Sequence, residues 1–320
     1  MREWEELAAR MEGVVLQRAH FRLGPVHLEV PAGYVTAIVG PNGSGKSSTL
    51  RMLMELSRPD AGRIEIFGEA LGPGSDAVAR KRRIGYLPEE AYEYERGFRG
   101  SDKAAFVRQW YPQWDVNRYQ ELLRLFEVDP GLKLGKMSKG MRRKFELALS
   151  LAHHPELLLL DEPSSGLDPL AWRAMIGVLH AFMETGGRTV LISTHIIEEV
   201  KRLADYIVVM AHGRVLGMYE KDELLTGWRK LFLRTGEAAS GGGWEAMPGY
   251  AGSTGSGGGT LQLVTGRAAE AERWLAERGI VPVASQPMEL DDIMAIMVEN
   301  DKLRMPRTGD GKQEKRGAGQ

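Results

Sequence analysis

The nine residues Gly40–Ser48, GPNGSGKSS, decide how this chain is read. They fit the phosphate-cradling pattern G-x-x-x-x-G-K-[ST] through Gly40, Gly45, Lys46 and Ser47. The glycines at 40, 43 and 45 let the backbone curl until successive N–H groups point inward at phosphate oxygens. Lys46 brings a cation to the β- and γ-phosphates, and the Ser47 hydroxyl suits Mg²⁺. The helix that follows aims its positive N-terminal end at the same anion. Gly40, Pro41, Asn42, Gly43, Ser44, Gly45, Lys46, Ser47 and Ser48 are therefore the candidate nucleotide-binding loop. The context agrees: Tyr34–Val39 is a short apolar run of strand type, and Ser48–Leu56 carries Leu50, Leu53 and Met54 on one helical face.

Working outward, Leu157–Leu160 is four leucines in succession, the pattern of a strand buried on both faces of a parallel sheet. Asp161-Glu162 stand at its carboxyl end, where α/β sheets collect ligands. An aspartate there can hold Mg²⁺, and a neighbouring glutamate can orient a water or take its proton. Thr189–Ser193 is a second buried run, and it ends at Thr194-His195. Strands that alternate with helices give a parallel sheet wrapped by helices.

Elsewhere the expected elements are strands at 14–16, 26–30, 62–67 and 84–88, helices at about 115–126, 138–152, 169–184 and 196–204, and a hairpin over 206–219. Residues 68–80 read as loop. The segment 91–152 turns helical and opens on an aromatic, charged stretch. Glycine and serine crowd 236–259, which reads as a linker. Beyond it a small α+β unit is expected over 260–300, with strands at 260–265 and 281–284 and helices at 268–278 and 290–298. Residues 301–320 read as a disordered tail.

Composition narrows the class. The chain has 320 residues, 43% hydrophobic and 27% charged, as in ordinary globular proteins. A net charge of −1 gives no sign of a nucleic-acid partner, and the absence of cysteine excludes disulfides and thiolate metal sites. The start, MREWEELAARME, lacks a signal-peptide core, and no apolar run reaches the roughly 18 residues that span a bilayer. A cytoplasmic location is expected, with any membrane part supplied by another chain.

Taken together these motifs resemble an ATP-binding cassette (ABC) ATPase, the motor subunit of ABC transporters. The match runs from about residue 12 to about 230. It rests on the P-loop, Asp161-Glu162, Ser165-Gly166-Leu167-Asp168, Thr194-His195, and Met137-Ser138-Lys139-Gly140-Met141 where the family has Leu-Ser-Gly-Gly-Gln. The resemblance implies an α/β P-loop NTPase core over 1–235, with a mixed sheet, an antiparallel β subdomain and a helical subdomain at about 91–152. It implies a head-to-tail pair with a second copy or a related subunit, two ATP molecules sandwiched between P-loop and the partner's Ser138 and Gly140. Glu162 is then the catalytic base, His195 a γ-phosphate contact, and Asp168 a residue of the subunit contact. Ser47 and Asp161 are the Mg²⁺ candidates, joined by Glu89, which stands where the family has glutamine. Arg18 occupies the position of the family's adenine-stacking aromatic, with Phe21 close by. Arginine can stack on a flat ring, and it reads equally well as a solvated side chain.

The Ser-Lys-Gly-Met signature, the Tyr-Pro-Gln-Trp-Asp segment at 111–115 and the C-terminal extension resemble a bacterial branch with separate permease chains, mostly exporters. A transmembrane permease is the implied partner, and the chain would sit on the inner face of the membrane through it. Two other readings stay open: a soluble ABC ATPase of cofactor assembly or regulation, and a P-loop kinase. The second leaves the signature and Ser165–Asp168 unexplained.

Overall fold

The computed structural model describes residues 6–90, 92–234, 243–256 and 259–304. The chain divides into two compact units, Met1–Gly227 and Trp228–Gln320.

In the first unit the elements run β1 (Leu7–Arg18), β2 (Phe21–Pro31), β3 (Val35–Val39), α1 (Lys46–Leu53), β4 (Ala61–Ile66), β5 (Glu69–Ala70), α2 (Ala77–Arg82), β6 (Ile84–Leu87), α3 (Gly100–Arg108), α4 (Val116–Leu125), α5 (Lys139–Leu151), β7 (Leu157–Asp161), α6 (Pro169–Glu184), β8 (Thr189–Thr194), α7 (Ile197–Leu203), β9 (Tyr206–Ala211), β10 (Arg214–Glu220) and α8 (Lys221–Gly227). A six-stranded sheet has the order β10-β9-β3-β8-β7-β6, and a four-stranded antiparallel sheet the order β2-β1-β4-β5. In the six-stranded sheet only the β9–β10 pairing is antiparallel. Every residue of β3, β7 and β8 is buried, so these strands read as continuous apolar runs. Leu50 and Leu53 of α1 share one core with Ile38, Leu157 and Leu191 of this sheet and with Met11, Leu23 and Ile66 of the antiparallel one. The helix after the P-loop is thus held in an apolar cluster fed by both sheets.

Parallel register decides what meets at the carboxyl edge. Val39 pairs with Thr194, Asp161 with Ser193, and Leu87 with Leu160. The segments leaving β3, β6, β7 and β8 therefore emerge side by side: the P-loop, Pro88-Glu89, Glu162 and His195.

Several helix ends have readable causes. Asp115 caps α4 by accepting from Arg118 N at 2.9 Å, Ser138 caps α5 by accepting from Met141 N at 3.1 Å, and Asp168 caps α6 with Pro169 next to it. Residues 68–80, expected as loop, hold the short β5 and open α2 at an Asp76 cap, whose Oδ1 accepts from Ala79 N.

The second unit begins earlier than the sequence suggested. β11 (Arg229–Arg234), expected in the first domain, pairs with β13 (Thr260–Thr265) and β14 (Ala284–Pro287), and β12 (Tyr250–Ser256) pairs with β13. The sheet order is β12-β13-β11-β14, joined by helices α9 (Ala268–Ala276) and α10 (Leu290–Arg304). Part of the supposed 236–259 linker is therefore a strand, glycine-rich because it is an edge with little to bury. The expected strand at 281–284 lies instead at Ala284–Pro287. The 235 boundary moves to Gly227, and α10 continues to Arg304. Residue 235, the linker residues 236–242 and 257–258, and the remainder of the expected tail lie outside the described residues.

His153, just past α5, ties that helix to the sheet. It is 2% exposed, its Nε2 donates to Ile84 O at 3.1 Å, and Tyr111 stacks on its ring at 3.9 Å. Burial lowers its pKa from 6.5 to about 4. A neutral buried imidazole stabilises the fold fully above pH 6.5, and that contribution is lost as pH falls from 6.5 toward 4, where the unfolded chain takes the proton more readily. Thermal or urea unfolding across that window should lose up to about 1.4 kcal/mol per pH unit from this residue, and His153→Gln should flatten the slope.

Candidate active site

The P-loop is exposed at Pro41, Asn42 and Gly43 and buried at Ser44, Gly45 and Lys46, while Ser47 and Ser48 are half-buried. Its tip is open to a ligand while its lysine lies beneath. Gly40 and Gly45 are required by geometry. A Cβ on Gly40 would stand 2.0 Å from Met210 O, and one on Gly45, at φ 109°, 2.4 Å from Leu23 Cδ1. Lys46, 5% exposed, donates from Nζ to Gly40 O at 3.0 Å and lies 3.7 Å from Glu162 Oε1. The buried Ser44 hydroxyl has no hydrogen-bond partner among the described residues, so this cradle retains unused polar capacity.

Asp161 is 2% exposed, and its Oδ1 accepts from Ser47 Oγ at 3.0 Å and from Ser193 Oγ. Burial raises its pKa, opposed by these two hydrogen bonds, and the nearby Glu89 and Glu162 charges push it the same way as burial. A carboxylate in this setting favours a cation beside it. Ser47 and Asp161 are hard oxygen donors. Among the described residues no group of three or more His, Asp or Glu forms an all-protein cage. Such a donor set suits Mg²⁺, which commonly shares its shell between one or two carboxylates, phosphates and water.

Glu162 is 6% exposed and held from both sides. Oε1 faces Lys46, Oε2 meets His195 Nδ1 at 2.8 Å, and the backbone N–H donates to Ser193 O at 2.9 Å. Its φ of +48° is left-handed, a conformation that costs a non-glycine residue on the order of 1 kcal/mol. His195 is half exposed, so one face of the pair opens outward.

The remaining predicted residues divide. Gly140 packs on the segment after Glu162, since a Cβ there would sit 2.8 Å from Gly166 O. Asp168 accepts from Leu170 N and Ala171 N, both at 2.9 Å, and these backbone donors hold its carboxyl below the usual range. As a helix cap it already has a structural role. Arg18 turns to Ser57 Oγ at 3.0 Å and to Asp60 at 3.7 Å. The ring against the P-loop is Phe21, with Cζ 3.4 Å from where a Cβ on Gly45 would be. Glu89 has an exposed side chain, and its carbonyl accepts from Arg143.

Three participants were missed in the sequence: Ser193, Glu199 and Arg143. Glu199 is fully buried on α7, accepts from Ser164 Oγ, and has a pKa raised by burial. Arg143 offered a signal, because it is a charge one turn after the Ser138 cap on a helix whose next apolar residues, Phe145 and Leu147, are buried.

Residues 23–165 match the ABC transporter family. Over those residues the chain is similar to that family. It is 37% identical to a daunorubicin/doxorubicin resistance ATP-binding protein of Streptomyces peucetius over 67% of this chain and 66% of that one. It is 32% identical to a bacitracin transport ATP-binding protein of Bacillus licheniformis, covering 62% and 65%. The chain thus spans just under two thirds of the length of these curated relatives. Among solved structures, an ATP-binding subunit of an ABC transporter aligns with TM-score 0.61 at 27% identity, covering 68% of this chain and 92% of that one. A dimeric ATP-binding cassette bound to ADP and phosphate, at 22% identity and TM-score 0.59 over 66% and 98%, shares the fold. Among the described residues no helix is long and apolar enough to cross a membrane.

Gly40→Ala should weaken ATP binding at least tenfold, because its methyl would meet a backbone oxygen that cannot swing away. Gly177→Ala, exposed on α6 with nothing within 4 Å of the added atom, should bind ATP normally and gain about 0.5–1 kcal/mol of stability. Equilibrium nucleotide binding and thermal unfolding of the two variants check this.

Proposed function

We propose that this chain is the ATP-hydrolysing subunit of an ABC transporter, an exporter with a separate permease. The observation that carries the reading is Glu162: one buried carboxylate held between Lys46 at 3.7 Å and His195 at 2.8 Å, beside the hydroxyl–carboxylate pair Ser47–Asp161. The P-loop N–H groups, the N-terminus of α1 and Lys46 bind and orient the phosphates. Glu162 takes the proton of the attacking water, and His195 holds Glu162 and the γ-phosphate in line. Ser47 and Asp161 hold Mg²⁺, with Glu89 within electrostatic reach; the ion supplies charge neutralisation on the β- and γ-phosphates. Adenine packs near Phe21, with Arg18 at the margin.

Ser138 and Gly140 serve the ATP of a second copy, whose P-loop they cover in a head-to-tail dimer, and Asp168 shapes the α6 end of that contact. A cap serine at a helix N-terminus offers a hydroxyl and N–H groups to a γ-phosphate. The names of the drug-resistance and bacitracin-transport relatives support export, and the inner face of the membrane follows from a permease partner.

Work leaves through the surface beside Glu89. A cleft of about 420 Å³ opens there, lined by Glu89, Tyr92, Arg96, Met137, Lys139 and Arg142 among others. Tyr92 and Tyr94 stack at 5.4 Å, and with Phe98 they stay exposed at 42%, 75% and 55%. Of the aromatics over 91–114, Phe106 and Trp110 also face outward, whereas Tyr111 and Trp114 pack inward on His153 and Tyr119. Ala91 lies outside the described residues. Exposed aromatics beside arginine are the residue types enriched at interface centres, and a short cytoplasmic helix of a permease would fit them.

Two measurements test this reading. Lys46→Ala should abolish ATP binding, whereas Glu162→Gln should bind ATP, accumulate as a dimer and hydrolyse at least ~10²-fold more slowly; near-normal turnover by Glu162→Gln would remove its assigned role. Replacing Tyr92, Tyr94 and Phe98 with alanine should leave ATPase of the isolated subunit intact while co-purification with the permease and transport fall. Intact assembly and transport would put the interface elsewhere.

A further inference from the structure

Arg143 is 5% exposed, and among the described residues its guanidinium reaches no carboxylate oxygen at hydrogen-bond distance. It donates instead to backbone carbonyls of two separate loops. Nη1 donates to Pro88 O and, at 2.9 Å, to Glu89 O. Nη2 donates to Asp161 O and Glu162 O, and Nε to Pro163 O at 3.2 Å. All three guanidinium nitrogens are engaged, in the fixed fork that arginine has and lysine lacks. The left-handed backbone at Glu162 brings the carbonyls of 161 and 162 to the same nitrogen. Burial lowers the Arg143 pKa, and the charges of Asp161, Glu89 and Glu162 counter it.

We propose that Arg143 is a positioning residue for Glu162: it grips the carbonyls of 161–163 and of 88–89 in one hand and so holds the Glu162 carboxylate between Lys46 and His195. The segment 88–89 lines the cleft beside Tyr92, and 161–163 carries the carboxylate. Arg143 makes them one rigid piece, so a displacement in the cleft reaches Glu162 through a single side chain. This rests on Glu162 being the base.

The test is a double-substitution cycle in the full chain. ATP affinity, turnover and thermal unfolding are measured for the natural chain, Arg143→Lys, Arg143→Met, Glu162→Gln and the Arg143→Lys/Glu162→Gln pair. Lysine keeps a charge and three donors but not the fork; methionine leaves every carbonyl bare and is the variant more prone to misfold. Arg143→Lys should keep ATP affinity within about threefold and lose ~10²-fold in turnover, all in kcat. In the Glu162→Gln background the same change should cost nothing further, since the group it positions is gone. Natural turnover by Arg143→Lys beside an inactive Glu162→Gln would overturn the proposal alone. So would losses that multiply in the pair, a loss confined to KM, or failure of Arg143→Lys to fold, each of which makes Arg143 a scaffold residue. Natural turnover by Glu162→Gln would instead remove the base assignment, and the proposal with it.

Discussion

A single hydrogen bond, Ser47 Oγ to Asp161 Oδ1 at 3.0 Å, joins the two ends of the chemistry across 114 residues of chain. It depends on the parallel register of β3, β8 and β7. Val39 and Thr194 pair, Ser193 and Asp161 pair, and the loops that follow have one edge to share. Strands buried on both faces can slip only by exposing apolar surface and leaving backbone groups unpaired. The register is therefore stiff, and the polar groups at its end inherit that stiffness.

What collects at that edge is expensive to bury. Lys46, Asp161 and Glu162 are each 6% exposed or less, and the Glu162 carboxylate stands 3.7 Å from the Lys46 ammonium. The desolvation of such charges is offset only when donors and acceptors are fully matched. Ser47, Ser193, His195 and the Gly40 carbonyl supply that matching from the P-loop stretch and the end of β8. Burial, helped by the nearby Glu89 and Glu162 charges, raises the Asp161 pKa, and the surplus of negative charge fits the site for a divalent cation.

A second buried network braces the helical part of the first unit. Lys103 on α3 bonds Glu95 at 2.8 Å and Glu146 on α5 at 2.9 Å, and Arg142 bonds the same two carboxylates. Arg142 and Arg143 are neighbours on α5 with different duties. The first binds carboxylates that hold the helices together; the second binds carbonyls that connect α5 to the carboxyl edge of the six-stranded sheet. The signature serine at the head of α5 is thus set by the helix that also grips Glu162.

The sequence by itself determined the phosphate loop, the buried strands and their acidic end, because glycine spacing and unbroken apolar runs are local and leave few alternatives. It also fixed the α4, α5 and α6 starts, where Asp115, Ser138 and Asp168 cap the first turn with their own side chains. It misread the 235 boundary, since β11 finds its partners only in β13 and β14, 26 or more residues further on, and a strand without its partners looks like the end of the preceding domain. It read glycines around 250 as a linker, because an edge strand with little to bury carries no apolar alternation. Only tertiary structure decided that Arg18 turns away to Ser57 and Asp60 while Phe21 lies against Gly45, and that Arg143 faces carbonyls rather than solvent. The reason is common to both: a long side chain's partner is chosen by whichever acceptor the packing of distant elements brings within reach, and the residues beside it do not settle that choice.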